Sequence, residues 1–252
     1  MMKPGALSLC VLLVLMAPFA QAERIIAARY AEPVERYGHF ALGRPHEYAR
    51  LLATTDAGRD AVLDLPADEV FEDLAPRLVR LAAQAPPALL VIVSARDGGS
   101  RLALVGLDGG RLEIVAQSVP IGRTNRWLNP VGVADLDGNG EAEIAAVTTP
   151  HIGGVLRVYR RRGERLVEIA SLGGFSNHVY GSRQLALSKP AWIDGRMQLL
   201  VPDGRRESIL AIGLTDAGLV ETGRCRLSKP ITAPAALHDC ERRLNLRLQP
   251  SG

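Results

Sequence analysis

The chain has 252 residues, with 30 basic against 27 acidic side chains, a formal net charge of +3 and only 4% aromatic residues. Charges this balanced, with no basic stripe interleaved with aromatics, argue against a nucleic-acid-binding surface. The length suffices for one well-cored domain, and no linker, charge block or low-complexity tract divides it.

The chain opens like a secretory signal. Lys3 supplies a positive start, Ala6–Ala20 is apolar, and Ala20-Gln21-Ala22 has the small-x-small form of a cleavage site. The apolar run is shorter than the ~20 residues of a membrane-spanning helix, and no second run could cross a bilayer. The expectation is a signal peptide over residues 1–22 and a periplasmic or secreted domain over 23–252, without a membrane span. An uncleaved anchor is the alternative.

After the signal, Ile25–Tyr30 and Glu35–Leu42 read as strands. In 67–85, Val70, Phe71, Leu74, Leu78 and Leu81 have near-helical spacing behind Asp68. Pro76 sits in their midst, where it would kink or end a helix, so two strands with a turn near Pro76 are expected, with a helix as the alternative. Strands follow at Ala88–Ser94, Arg101–Leu107 and Arg111–Ser118, separated by Asp-Gly-Gly turns at Asp97 and Asp108.

Next comes the densest motif, Asp135-Leu-Asp137-Gly-Asn139-Gly140-Glu141-Ala-Glu143. Oxygen-bearing side chains stand at loop positions 1, 3, 5 and 9, with glycine at position 6, a pattern that wraps oxygens around a hard cation. An EF-hand would need a bidentate Glu at position 12, which is Ala146 here, and helices on both sides. The flanks instead alternate like strands, Val131–Asp135 before and Glu143–Thr148 after. The expected ligands are the side chains of Asp135, Asp137, Asn139 and Glu143 and the backbone carbonyl of Glu141, with structural Ca²⁺ as the ion. A solvated Asp/Asn/Gly turn is the bland alternative, but three carboxylates in nine residues repel one another without a cation.

The motif Asp135-x-Asp137-x-Asn139-Gly-x-x-Glu143 followed by Ile144-Ala-Ala-Val147 resembles the FG-GAP and VCBS-type repeats of integrin-like β-propellers. The resemblance implies a Ca²⁺ loop between the first two strands of a blade and a role in adhesion, protein contact or glycan contact. It covers about twenty residues, because no other segment keeps the acidic loop.

Strands continue at Val155–Arg160, Arg165–Ser171, Gln198–Val201, Ser208–Leu214 and Leu219–Arg226, and Leu112, Leu166 and Leu219 recur about every fifty residues. Four short strands per repeat predict an all-β fold, a β-propeller of about five four-stranded blades, with four, or six with poor ends, as the alternatives. Ile231–Leu237 and Arg243–Leu248 would be strands that join the N-terminal pair, so that both termini close the last blade. Cys225 and Cys240, the cysteines beyond the signal, are expected to pair as a disulfide in an oxidising compartment.

In a propeller the metal loop would lie on one face and the longer polar loops on the other. Those loops carry Arg126 and Trp127, His151, and His178, Tyr180 and Arg183. Exposed Trp and Arg often anchor partners; in the alternative reading Trp127 packs inside and the charges are merely solvated. The functional expectation is a monomeric, exported, non-enzymatic, calcium-stabilised binding module for a protein or glycan partner on the face opposite the metal. The alternative is a polysaccharide-active enzyme, a lyase or glycosidase. No GxSxG, HExxH, Walker or dinucleotide motif is present, so no catalytic residue is assigned.

Overall fold

A computed structural model describes residues 23–246; the expected signal peptide lies outside them. Sixteen strands and one helix are described. They are β1 (Ile25–Pro33), β2 (Tyr48–Thr55), β3 (Asp60–Asp64), β4 (Glu69–Phe71), β5 (Arg77–Val79), β6 (Ala88–Ala95), β7 (Gly99–Asp108) and β8 (Arg111–Gln117) in the first half. The second half holds β9 (Leu128–Ala134), β10 (Glu143–Thr148), β11 (Val155–Arg162), β12 (Arg165–Gly173), β13 (Lys189–Ile193), β14 (Arg196–Pro202), β15 (Ser208–Thr215), β16 (Gly218–Arg226) and α1 (Ala235–Leu246).

The expected propeller is not what these strands build. They form a 12-stranded mixed sheet, with the path β1-β2-β4-β6-β7-β8-β12-β11-β10-β9, and a separate 4-stranded sheet, β13-β14-β15-β16. The repeating local unit is real: β9–β12 and β13–β16 are antiparallel meanders. The link between β8 and β12 is a single parallel pair, Gln117 with Arg165. The two ends do not form a shared blade. β1 pairs with β2, and the C-terminal segment is a helix packed on β13 and β16.

Period-2 patterning explains both the success and the failure. In β6, Leu89, Val91 and Val93 enter one core while Leu90 and Ile92 enter the next. In β10, Ile144 and Ala146 face that second core, and Ala145 and Val147 face a third with Leu199, Val201, Leu210 and Ile212. Ile209 and Ala211 turn to a fourth core against Leu237, Cys240 and Leu244 of α1. Sheet thus packs on sheet with both faces buried, and the helix covers the last one. At the C-terminus, Leu244, Leu246 and Leu248 alternate as a strand would, but Leu237, Cys240 and Leu244 also stand at i, i+3 and i+7 behind Pro234. That helical stripe prevails because it buries three side chains on a sheet already in place.

The strands on either side of Pro76 form as expected, as β4 and β5. Glu35–Leu42 does not become a strand. Gly38 and Phe40 take positive φ (76° and 53°), and the buried Glu47 carboxylate accepts the N–H groups of Tyr37 and His39 that a sheet partner would have taken. The hairpin between β7 and β8 turns on Gly109 and Gly110 (φ 54° and 83°), where a type I′ turn needs two left-handed residues.

Candidate functional site

The acidic loop joins β9 to β10 as a hairpin. Both oxygens of Asp135 accept backbone N–H groups, Oδ1 from Gly138 and Asn139 and Oδ2 from Gly140 at 2.9 Å. Fully buried Glu143 takes the Leu136 N–H on Oε2. One oxygen from each of Asp135, Asp137 and Glu143 lies within 4.8 Å of the others, an arrangement that can hold a metal ion. Asn139 points its oxygen at the Glu141 N–H (2.7 Å) and its amide nitrogen at Asp137.

The structure adds a residue that the sequence reading left out. The Arg160 guanidinium, on β11, spans Asp137 (2.5 Å) and Glu143 (2.6 Å). These two carboxylates raise the Arg160 pKa further, chiefly through the hydrogen bond to Glu143. Arg160 is therefore a built-in cation for the loop and a competitor for any ion that would share Asp137 and Glu143. Nothing in the spacing of the loop signals it, since it lies seventeen residues past Glu143.

Glu143 and Thr148 begin and end β10, so the acidic loop and His151 lie at opposite ends of a strand that spans roughly 17 Å. At the His151 end, four segments converge. The 34–47 loop brings Tyr37 and His39, the segment after β4 brings Glu72, the β8–β9 connection brings Trp127, and the β12–β13 connection brings His178 and Tyr180. Gly154 makes the approach of the last segment possible. Its carbonyl accepts the Gly174 and Phe175 N–H groups, and a Cβ there would stand 1.9 Å from the Phe175 oxygen.

Two hydrogen-bonded pairs organise the cluster. His39 Nδ1 meets Glu72 Oε1 at 2.7 Å, and Glu72 Oε2 accepts the Ser94 hydroxyl. Burial pushes the Glu72 pKa up, against the pull of His39 and Ser94. His151 Nε2 meets His178 Nδ1 at 2.8 Å, and His178 Nε2 bonds the Ser182 carbonyl at 2.9 Å. Burial, then the charges of His178, His39 and Arg206, lowers the His151 pKa to about 4. Burial likewise lowers that of His178, partly countered by the Ser182 bond.

The expected ligand residues divide. His151, His178, Trp127 and Tyr180 do meet. Tyr180 is 59% exposed and ties its hydroxyl to the His39 carbonyl. Trp127 is no stacking surface; at 1% exposure it belongs to the second core, with Nε1 donating to the Glu72 carbonyl. His178 is buried with both ring nitrogens engaged, so it positions rather than contacts. Arg126 is half-buried and bonds only the Asn125 carbonyl, while exposed Arg183 bears on buried His46. Tyr37, His39 and Glu72 carry no sequence signal for this site; His39 lies in the stretch whose pattern predicts a strand, and only tertiary contact unites it with Glu72.

Cys225 Sγ and Cys240 Sγ are 2.08 Å apart and join β16 to α1. No described helix is long and apolar enough to cross a membrane. No family model matches the chain, and no curated protein matches it.

Proposed function

We infer that the protein is an exported, non-enzymatic binding module that takes a protein or glycan partner at the His151 end of β10, with Ca²⁺ stapling the opposite end. The observation that carries this reading is the convergence of four sequence-distant segments on a mouth whose exposed tip is Tyr180. Rigid sheets behind loops of this kind position contacts without themselves being contacts. The paired cysteines suit an oxidising compartment and support export. Calcium is the ion of choice because the donors are carboxylate oxygens without imidazole or thiolate, the set that hard cations prefer. Asp135, Asp137 and Glu143 would hold it, and its role would be to neutralise the hairpin. The likeness of this hairpin to FG-GAP and VCBS-type loops supports the same ion.

A pull-down from periplasmic extract with Ca²⁺ present, comparing the wild type with Tyr180→Ala, tests the mouth. Loss of the captured partner in the variant is expected, and unchanged capture places the partner elsewhere. The Glu72–His39 contact favours one second reading, a polysaccharide-active enzyme in which this pair moves a proton. Polysaccharide turnover that vanishes in His39→Gln is the result that would establish it.

A further inference from the structure

The 4-stranded sheet carries a surface of different character, beside α1. The stretch 226–233 after β16 and the outer side of α1 wall a groove of about 910 Å³. Arg226 and Lys229 stand on the first wall, Arg242 and Arg243 on the helix, and all four are exposed. Asp239 is the carboxylate in the lining, and Arg242 already holds it at 2.6 Å. Among the described residues, Arg226, Lys229 and Arg243 have no carboxylate within ion-pair reach.

Overall charge does not explain this gathering. Basic and acidic side chains nearly balance over the chain, 30 against 27, yet here four cations meet one anion. Like charges so placed repel one another, and an anion from solution relieves the repulsion. The walls are also fixed. Cys225, next to Arg226, is bonded to Cys240, two residues before Arg242, with Cα atoms 5.7 Å apart. The Leu227 N–H donates to the Glu207 carbonyl and the Ile231 N–H to the Arg206 carbonyl, and buried Ile231 packs in the core beneath α1. The cations are therefore held at set positions before any ligand arrives, which lowers the ordering cost of binding.

Guanidinium and ammonium groups only donate hydrogen bonds, and the hydroxyls of Ser228 and Thr232 add donors to the same lining. A phosphate monoester takes all of these, with three acceptor oxygens and a charge of about −1.5 to −2 near pH 7. A carboxylate brings a single charge, so a peptide needs more groups to offset the same cations. Four cations spread over a groove of this size call for more than one phosphate. We propose that the groove between 226–233 and α1 binds an anion bearing several phosphates, gripped by Arg226, Lys229 and Arg243. None of the mouth residues lines it, so the assignment does not depend on the Tyr180 mouth. A soluble polyphosphate and a phospholipid surface share this chemistry.

Titration calorimetry with tripolyphosphate, monophosphate and a tetraglutamate peptide, and co-sedimentation with vesicles of phosphatidylcholine with or without phosphatidic acid, test it on the disulfide-bonded protein. Tripolyphosphate should bind at least about tenfold more tightly than monophosphate and the peptide, or phosphatidic acid vesicles about tenfold more tightly than plain phosphatidylcholine. The triple variant Arg226→Gln/Lys229→Gln/Arg243→Gln should lose at least about tenfold in that affinity. Removing three exposed cations outside the groove, Arg111→Gln/Arg123→Gln/Arg196→Gln, should change it by less than about twofold. Thermal melts of each variant verify folding. Tripolyphosphate binding without vesicle binding assigns a soluble ligand, and vesicle binding assigns a lipid surface. No binding of either probe, equal or tighter peptide binding, an unaffected groove variant, or equal losses in the two triple variants overturns the assignment.

Discussion

At the scale of single residues, Arg160 decides how the acidic hairpin behaves. Three carboxylates need a counter-charge, and the chain supplies one guanidinium that bridges Asp137 and fully buried Glu143. Removing Arg160 strands the charge of buried Glu143, and because Arg160 and Asp137 are themselves part-exposed the cost lies at or below the roughly 3 kcal/mol lower end for fully buried pairs. Arg160→Gln is thus expected to lower the melting temperature sharply in chelator, and Ca²⁺ should restore most of the loss. In the wild type, Ca²⁺ at a hundred times its Kd should stabilise by about 2.7 kcal/mol, and Asp137→Ala should abolish that shift. A calcium shift of the same size in Arg160→Gln and wild type would mean that guanidinium and ion do not share oxygens. His151 gives a second residue-scale prediction. Its folded pKa, about 4, lies below the ordinary value of 6.5. Between these limits the unfolded chain binds a proton that the folded one does not, so this contribution to stability is present above about pH 6.5 and is lost as the pH falls toward 4. Chemical denaturation from pH 7 to 4 should show a shallower decline in His151→Phe than in the wild type; parallel curves would exclude His151 as the source. His178, with a lowered pKa of its own, and Glu72, with a raised one, face the same cluster and set the residual slope.

At the scale of elements, α1 is held by three buried side chains and one covalent link. Leu237, Cys240 and Leu244 lie on Ile209 and Ala211, and Cys225 ties the helix to β16 across a separation of 15 residues. A loop of this length is worth about 3 kcal/mol in the chain-entropy account. The double variant Cys225→Ala/Cys240→Ala should therefore lose roughly that much, and amide exchange in α1 should accelerate before exchange in β14 and β15. Uniform acceleration across all three elements would show that helix and sheet unfold as one. The disulfide pairing was legible from two cysteines near each other, whereas the helix was not. Period-2 alternation and a helical stripe coexist in that stretch, and only the apolar face of β13–β16 selects between them. The 34–47 loop failed for a related reason: Glu47 satisfies its backbone from ten residues away, so no local pattern announces it.

At the scale of the whole molecule, the sheets bury one another in succession. β6, β7 and β10 contribute alternate side chains to two cores each. β1 keeps most of its residues at least partly exposed. Native-state hydrogen exchange should accordingly be slowest in β6, β7 and β10 and fastest in β1 and β3. A uniform profile would indicate that all the sheets unfold as one cooperative unit. Four-stranded units were readable because alternation and glycine turns are local. How the units join into larger sheets was not, because pairings such as β8 with β12 depend on residues far apart in the chain.

The sequence by itself determined the strands around each Gly turn, the acidic hairpin, the cysteine pair and the all-β character, since each rests on neighbours a few residues apart. Tertiary structure alone decided that the strands join into a 12-stranded mixed sheet and a separate 4-stranded sheet, that Arg160 sits on Asp137 and Glu143, that Trp127 is core, and that His39 and Glu72 join His151 and Tyr180. Those outcomes are set by contacts between residues far apart in the chain, where local periodicity carries no information and competition for buried surface chooses the partner.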